Sequence, residues 1–226
     1  MAEQSFQDAM LAMQLKSLHE KKTKYRMLNR FAQKGQIVFT GSSLMEFFPI
    51  DELLHAMQPR RIIYNRGIAG ATTADFLEAM EECIFELAPS KLFINIGSND
   101  IGSVGPGGYR AEKLTDTYDI ILQRIHSELP ACAVYVMAYY PVNPKADFGL
   151  SIPQKEAMFR TRTNENIAAA NKAVEALARK HGFNFINVNE GLSDGEGNLK
   201  AAYAVDGVHL WPDAYAVILD NIKQYF

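Results

Sequence analysis

The feature that most constrains this chain is the alternation of short, almost wholly apolar runs with longer amphipathic segments. Ile37–Thr40 (IVFT), Ile62–Tyr64 (IIY), Leu92–Ile96 (LFINI), Ala133–Ala138 (AVYVMA) and Phe183–Val188 (FNFINV) have the length and the β-branched and aromatic content of strands. Helical periodicity runs between them, near residues 44–56, 74–87, 109–128 and 155–180, with a last stretch at about 213–223. Strands that are apolar at nearly every position are covered on both faces. Strand–helix–strand repetition builds right-handed crossovers and a parallel sheet. The expectation is an α/β protein with a doubly wound sheet of five strands. With 226 residues, 48% apolar, the chain can bury one large core. Ahead of this pattern, apolar residues from Gln7 to Ala32 recur at three- and four-residue steps. Residues 1–34 are therefore expected to form an N-terminal helical extension, a candidate homodimer contact, and residues 35–226 the main domain.

Composition removes several function classes. A formal net charge of -3 leaves no basic surplus to neutralise phosphates, so no nucleic-acid partner is expected. Cys83 and Cys132 are far apart, lack metal-ligand spacing and sit in apolar runs, which reads as two reduced core thiols. Polar residues interrupt every apolar stretch of the N-terminus, so no signal peptide is expected there, and no segment has the length of an apolar membrane span. A cytoplasmic protein is the expectation.

Polar residues gather just beyond the apolar runs: Gly41-Ser42-Ser43-Leu44, Asn65-Arg66-Gly67-Ile68-Ala69-Gly70, Gly97-Ser98-Asn99-Asp100 and, after a loop, Asp206-Gly207-Val208-His209-Leu210. Ligands bind outside the carboxyl ends of the strands in an open parallel sheet, so these segments converge on one edge. A serine hydroxyl becomes a nucleophile when a histidine, held by a carboxylate, lies within hydrogen-bond reach. Asp206 and His209, three apart, can approach a serine delivered by another strand. The backbone N–H groups of Ser43 and Gly70 and the side-chain amide of Asn99 are the candidate donors to an oxyanion. Gly70 suits this because, lacking Cβ, it lets the backbone come close to a substrate. Spacing alone does not choose between Ser42 and Ser43.

These four blocks, in this order, resemble the signature blocks of the SGNH (GDSL-type) hydrolase superfamily, closest to bacterial relatives of the platelet-activating-factor acetylhydrolase catalytic subunit, with which Asn65–Thr73 shares its pattern. The resemblance spans nearly everything after the N-terminal helix. It implies a flavodoxin-like three-layer α/β/α sandwich, a serine esterase or acylhydrolase cleaving short-chain acyl esters, and no metal or organic cofactor. Residue by residue it implies Ser43 as nucleophile, Asp206 and His209 as its partners, and Ser43, Gly70 and Asn99 as the oxyanion hole. One departure is that Ser42 stands where the family usually has Asp.

Leu44, Tyr139 and Leu210 are the expected substrate-binding residues, from an apolar set that also includes Phe47, Val104, Tyr109, Tyr140 and Trp211. The expected partner is a small acyl ester, lipid-like or an acetylated sugar. Two long loops, Ile101–Gly108 and Pro141–Pro153, are candidate walls or lids. A competing motif, Gly191-Leu192-Ser193-Asp194-Gly195, matches the G-x-S-x-G pattern, but a polar glycine-rich stretch follows it where that motif needs a helix. The alternative to an enzyme is a non-catalytic flavodoxin-like domain whose Arg66–Thr73 turn binds an anion.

Overall fold

The computed structural model describes residues 2–55, 61–102 and 109–226, with side chains from Ala12 onward. Its five strands are β1 (Ile37–Gly41), β2 (Ile63–Gly67), β3 (Lys91–Asn95), β4 (Ala133–Met137) and β5 (Asn184–Ile186), all parallel, in the order β2-β1-β3-β4-β5. The helices are α1 (Ala2–Asn29), α2 (Ser43–Glu46), α3 (Ile50–Leu54), α4 (Thr73–Leu77), α5 (Met80–Cys83), α6 (Ser98–Ile101), α7 (Ala111–Glu128), α8 (Ile152–Phe159), α9 (Asn164–Lys180) and α10 (Pro212–Ile222).

Period-two alternation along the strands divides the core into two layers. Val38, Leu92, Ile94, Val134 and Val136 point to one face, where they meet Tyr25 of α1, Phe76 of α4, Met80 of α5, Tyr118 and Ile121 of α7 and Val174 of α9. Ile37, Phe39, Phe93 and Met137 point to the other, against Leu44 and Met45 of α2, Ile50 of α3 and Tyr215 and Ile218 of α10. The flavodoxin-like three-layer sandwich expected from the resemblance is therefore the observed fold. Among the described residues no helix is long and apolar enough to cross a membrane.

Several boundaries differ from expectation, each for a local reason. The segment near 44–56 is two helices, because Pro49 lacks an N–H and disfavours helical backbone before it; residue 56 lies outside the described residues. The segment 155–180 breaks at residues 160–163, where the Thr163 hydroxyl accepts from Asn166 N–H (3.1 Å) and starts α9 afresh. Strand β2 runs past its apolar triplet through Asn65, Arg66 and Gly67. It is an edge strand, and the Arg66 guanidinium lies against the Tyr25 and Tyr64 rings and donates to Asn29 Oδ1 (2.9 Å). Strand β5, the other edge, ends at Ile186. Both cysteines are free; Cys83 is fully buried, Cys132 only partly, and burial pushes both thiols up to about 12.

The chain leaves β1 for the sheet edge and returns to β3 on the other side, so the topological switch point lies beside β1. Gly41, the last residue of β1, is in register with both Gly67 and Asn95. Any Cβ on Gly41 would collide with the Asn95 carbonyl, so glycine is what lets these strand ends meet closely. Three loops therefore leave the sheet side by side.

Candidate active site

Ser42 and Ser43 follow β1 directly. Ser42 is fully buried, donates its backbone N–H to Asn95 O (3.1 Å), and its hydroxyl has no partner among the described residues. Ser43 opens α2, and its Oγ lies 3.0 Å from His209 Nε2. The imidazole thus faces the second hydroxyl of the pair.

His209 is carried by a loop that holds its own shape. Ala204 and Leu210 form an isolated antiparallel bridge, and Val205 N–H donates to His209 O (2.8 Å). Asp206 Oδ1 accepts the backbone N–H groups of Val208 (2.9 Å) and His209 (2.7 Å), while Oδ2 lies 2.7 Å from His209 Nδ1. Burial pushes the Asp206 carboxyl up, but the bonds from the His209 ring, its N–H and that of Val208 prevail and hold it at about 2. The residue is a carboxylate at any ordinary pH. Its contact with Nδ1 favours the tautomer whose Nε2 is an acceptor toward Ser43. The Pro141–Pro153 segment begins as a support for this loop rather than a cover over it: Asn143, buried, donates its N–H to Gly207 O (2.8 Å) and its Nδ2 to Leu199 O (2.7 Å).

Gly70 lies in the exposed turn after β2, with φ +79°. A Cβ there would meet nothing of the protein within 4 Å, and the left-handed backbone itself favours glycine at this position. The turn is braced by side chains. Ala69 N–H donates to Glu46 Oε2 (2.7 Å), and the other oxygen of that carboxylate pairs with Lys21 of α1. Asn65 Nδ2 donates to Met45 O (2.6 Å) and its Oδ1 accepts Gly67 N–H (3.0 Å), tying α2 to β2. Tyr25 of α1 donates to the Gly67 carbonyl. Among the described residues the N–H groups of Ser43 and Gly70 find no acceptor.

Asn99, on α6, donates through Nδ2 to Ala71 O (3.0 Å), one residue from Gly70, and its Oδ1 accepts from Arg162 Nη2 (3.2 Å). Asp100 beside it accepts the N–H (2.9 Å) and hydroxyl (2.6 Å) of Thr73, locking α6 to α4; burial raises its pKa against those two bonds.

The expected substrate-binding residues lie deep in the fold. Leu44, Tyr139 and Leu210 are 3%, 2% and 5% exposed and belong to the core beneath the site. The Tyr139 hydroxyl donates to Ile96 O (2.8 Å), supporting the turn that leads to Asn99, and Leu44 O accepts from Tyr215 (2.9 Å), which anchors α2. Burial wins at these positions because each lies on a core-facing side of its element. The exposed apolar groups near His209 are Phe47, whose ring centroid is 5.6 Å from the imidazole, together with Val205 and Trp211. Val104 and most of the Ile101–Gly108 loop lie outside the described residues. Ser193 is an exposed residue in a small antiparallel bridge to Leu199, with no helix after it, so the competing motif lacks its strand–turn–helix setting. Nothing in the residue pattern singles out Arg162 or Lys21; Glu46 has only its place one helical turn after Ser43 as a signal. Among the described residues no cluster of His, Cys, Asp and Glu has the makings of a metal centre.

Sheet order and layering define the three-layer α/β/α sandwich class, and comparison with known proteins supplies the family. The profile of the GDSL-like lipase/acylhydrolase family matches residues 49–217. The match takes in Gly70, Asn99, Asp206 and His209 but begins after Ser43, whose assignment therefore rests on geometry. Among solved structures the chain is similar to a Streptococcus pneumonia protein named for platelet activating factor, with 30% identity, TM-score 0.83 and 96% of each chain covered. It is also similar in fold to a GDSL-like lipase of Bacteroides thetaiotaomicron (21% identity, TM-score 0.72, covering 90% of this chain and 96% of that one) and to an acetylxylan esterase of Geobacillus stearothermophilus (15%, 0.62, 85% and 94%). No curated protein sequence matches the chain. The chain belongs to the GDSL-like lipase/acylhydrolase family, and it is a carboxylic ester hydrolase.

Proposed function

We propose that the protein is a serine esterase for short-chain acyl esters, with Ser43, His209 and Asp206 as its triad and the N–H groups of Ser43, Gly70 and Asn99 as its oxyanion hole. The observation that carries this reading is the unbroken contact chain from Ser43 Oγ to His209 (3.0 Å) and from His209 to Asp206 (2.7 Å). Both distances are within the reach that proton transfer requires. His209 Nε2 takes the Ser43 proton as Oγ attacks the ester carbonyl, and the resulting oxyanion accepts the unpartnered N–H groups. The imidazolium, stabilised by Asp206, then protonates the leaving alcohol. Water, deprotonated by the same imidazole, attacks the acyl-enzyme and releases the acid.

The exposed rim of Phe47, Val205 and Trp211 supports a small apolar contact for the acyl or alcohol group. Such an ester is lipid-like or an acetylated sugar, and acetyl and other short chains fit best, since no long apolar segment is available to cover a lipid. Incubation with a fluorophosphonate should yield one adduct on Ser43, and a chain-length series of p-nitrophenyl esters alongside acetylated sugars should favour the shortest acyl groups. An unlabelled Ser43, with phosphate protecting the protein against unfolding, would instead make it a binding domain. For assembly, we retain the homodimer: Met13, Leu15, Met27 and Phe31 expose apolar side chains along and just after α1. Met13→Glu with Leu15→Glu should shift the sizing profile to the monomer; an unchanged profile removes that contact.

A further inference from the structure

We propose that Arg162 is a positioning residue for the oxyanion hole, fixing and polarising the Asn99 carboxamide; the inference rests on the esterase reading above. Arg162 comes from the four-residue break between α8 and α9, residues that helical periodicity would have carried straight through. The break is built locally. Helix α8 stops at Phe159, Asn166 Nδ2 donates to Thr161 O (2.7 Å), and Thr163 caps the next helix. With the helix interrupted, the Arg162 side chain reaches the turn after β3 and donates from Nε (3.3 Å) and Nη2 (3.2 Å) to Ser98 O and from Nη2 to Asn99 Oδ1 (3.2 Å).

Three observations separate this from an ordinary surface arginine. The hydrogen bonds of the guanidinium among the described residues all go to carbonyl oxygens, although burial depresses its pKa and the nearby Asp206 carboxylate only partly opposes that. Holding a cation in such surroundings without a carboxylate against it costs stability, so the arrangement is a poor device for folding alone. Second, room for it is reserved: a Cβ on Gly102 would collide with the guanidinium. Third, the bonding chemistry decides which way Asn99 faces. Arginine only donates and the Ala71 carbonyl only accepts, so Oδ1 must face Arg162 and Nδ2 must face Ala71. That leaves one Nδ2–H with no acceptor among the described residues. A cation on Oδ1 also draws electron density from the amide and strengthens that remaining N–H as a donor.

The test is a double-mutant cycle between Arg162→Met and Asn99→Ala, with kcat expressed per fluorophosphonate-titrated site. Arg162→Met alone should lower kcat about tenfold, a fraction of the cost of deleting an oxyanion donor, with KM changed less than about twofold. Arg162→Lys should recover part of the loss. In the Asn99→Ala background the same Arg162→Met change should alter kcat by less than about twofold, because the group it acts through is gone. Gly102→Ala, which displaces the guanidinium while leaving it present, should reproduce the Arg162→Met loss. A purely structural arginine would lower the titratable fraction and the melting temperature while leaving kcat per site intact, and that result overturns the proposal. Equal losses in both backgrounds overturn it too. No adduct on the wild type would defeat the esterase reading and this inference with it, whereas an adduct with additive losses defeats this inference alone.

Discussion

The His209 loop and the Gly70 turn are held in different ways. The histidine loop stiffens itself: a bridge between Ala204 and Leu210, a bond from Val205 N–H to His209 O, and a carboxylate whose three contacts all fall on residues 208 and 209. The Gly70 turn has a single internal bond, Ala71 N–H to Ile68 O (3.2 Å). Its shape depends on Glu46 of α2, Lys21 and Tyr25 of α1, and Asn99 of α6. The Asp206–His209 pair is thus set largely within its own loop, whereas the Gly70 turn is an assembly of distant parts. It follows that α1 is not a passive cover: it reaches the Gly70 turn through the Glu46 carboxylate that Lys21 shares and through the Tyr25 hydroxyl on Gly67 O.

Mutations should expose this asymmetry. On the histidine side, Asp206→Asn should lower kcat by about 10⁴ because the wrong tautomer faces Ser43; steady-state kinetics would measure it, and a loss below tenfold would show that the loop orients the ring without the carboxylate. Across the site, Asn99→Ala should cost about 10²–10³ in kcat with little change in KM, and a near-normal rate removes Asn99 from the chemistry. Glu46→Ala should cost about tenfold, since it loosens a donor instead of deleting one. Lys21→Met should cost least, about two- to threefold, and only at low salt, because its partner still has Ala69 N–H to accept. If Lys21→Met proved as damaging as Glu46→Ala, the bracing would run chiefly through α1.

A pH experiment sharpens the same contrast through stability. The Asp206 carboxyl is held at about 2 in the fold, against about 3.9 in an unfolded chain. A depressed folded pKa contributes stability that is complete above about pH 4 and is lost as pH falls toward 2. Denaturant melts between pH 5 and 2.5 should therefore show a steeper loss for the wild type than for Asp206→Asn. Parallel curves would mean that the contacts of Asp206 contribute no net stability.

The sheet, its parallel sense and the four chemical blocks were legible in the residues because they are written in local code: apolar runs of strand length, helical periodicity, and an aspartate three residues ahead of a histidine. The seating of Leu44, Tyr139 and Leu210 was not, since an apolar side chain near a site and one beneath it look alike in one dimension. At Gly70 the structure adds a left-handed φ, which sequence spacing cannot express.

What the sequence determined by itself was the class of fold and the identity of the blocks, because patterning of period two and period 3.6 depends only on neighbours along the chain. What only tertiary structure decided was the contact between Ser43 Oγ and His209, the bracing of Gly70 by α1, and the arrival of Arg162 at Asn99. Each depends on distances between residues far apart in the chain, and such distances exist only once the two faces of the sheet are covered.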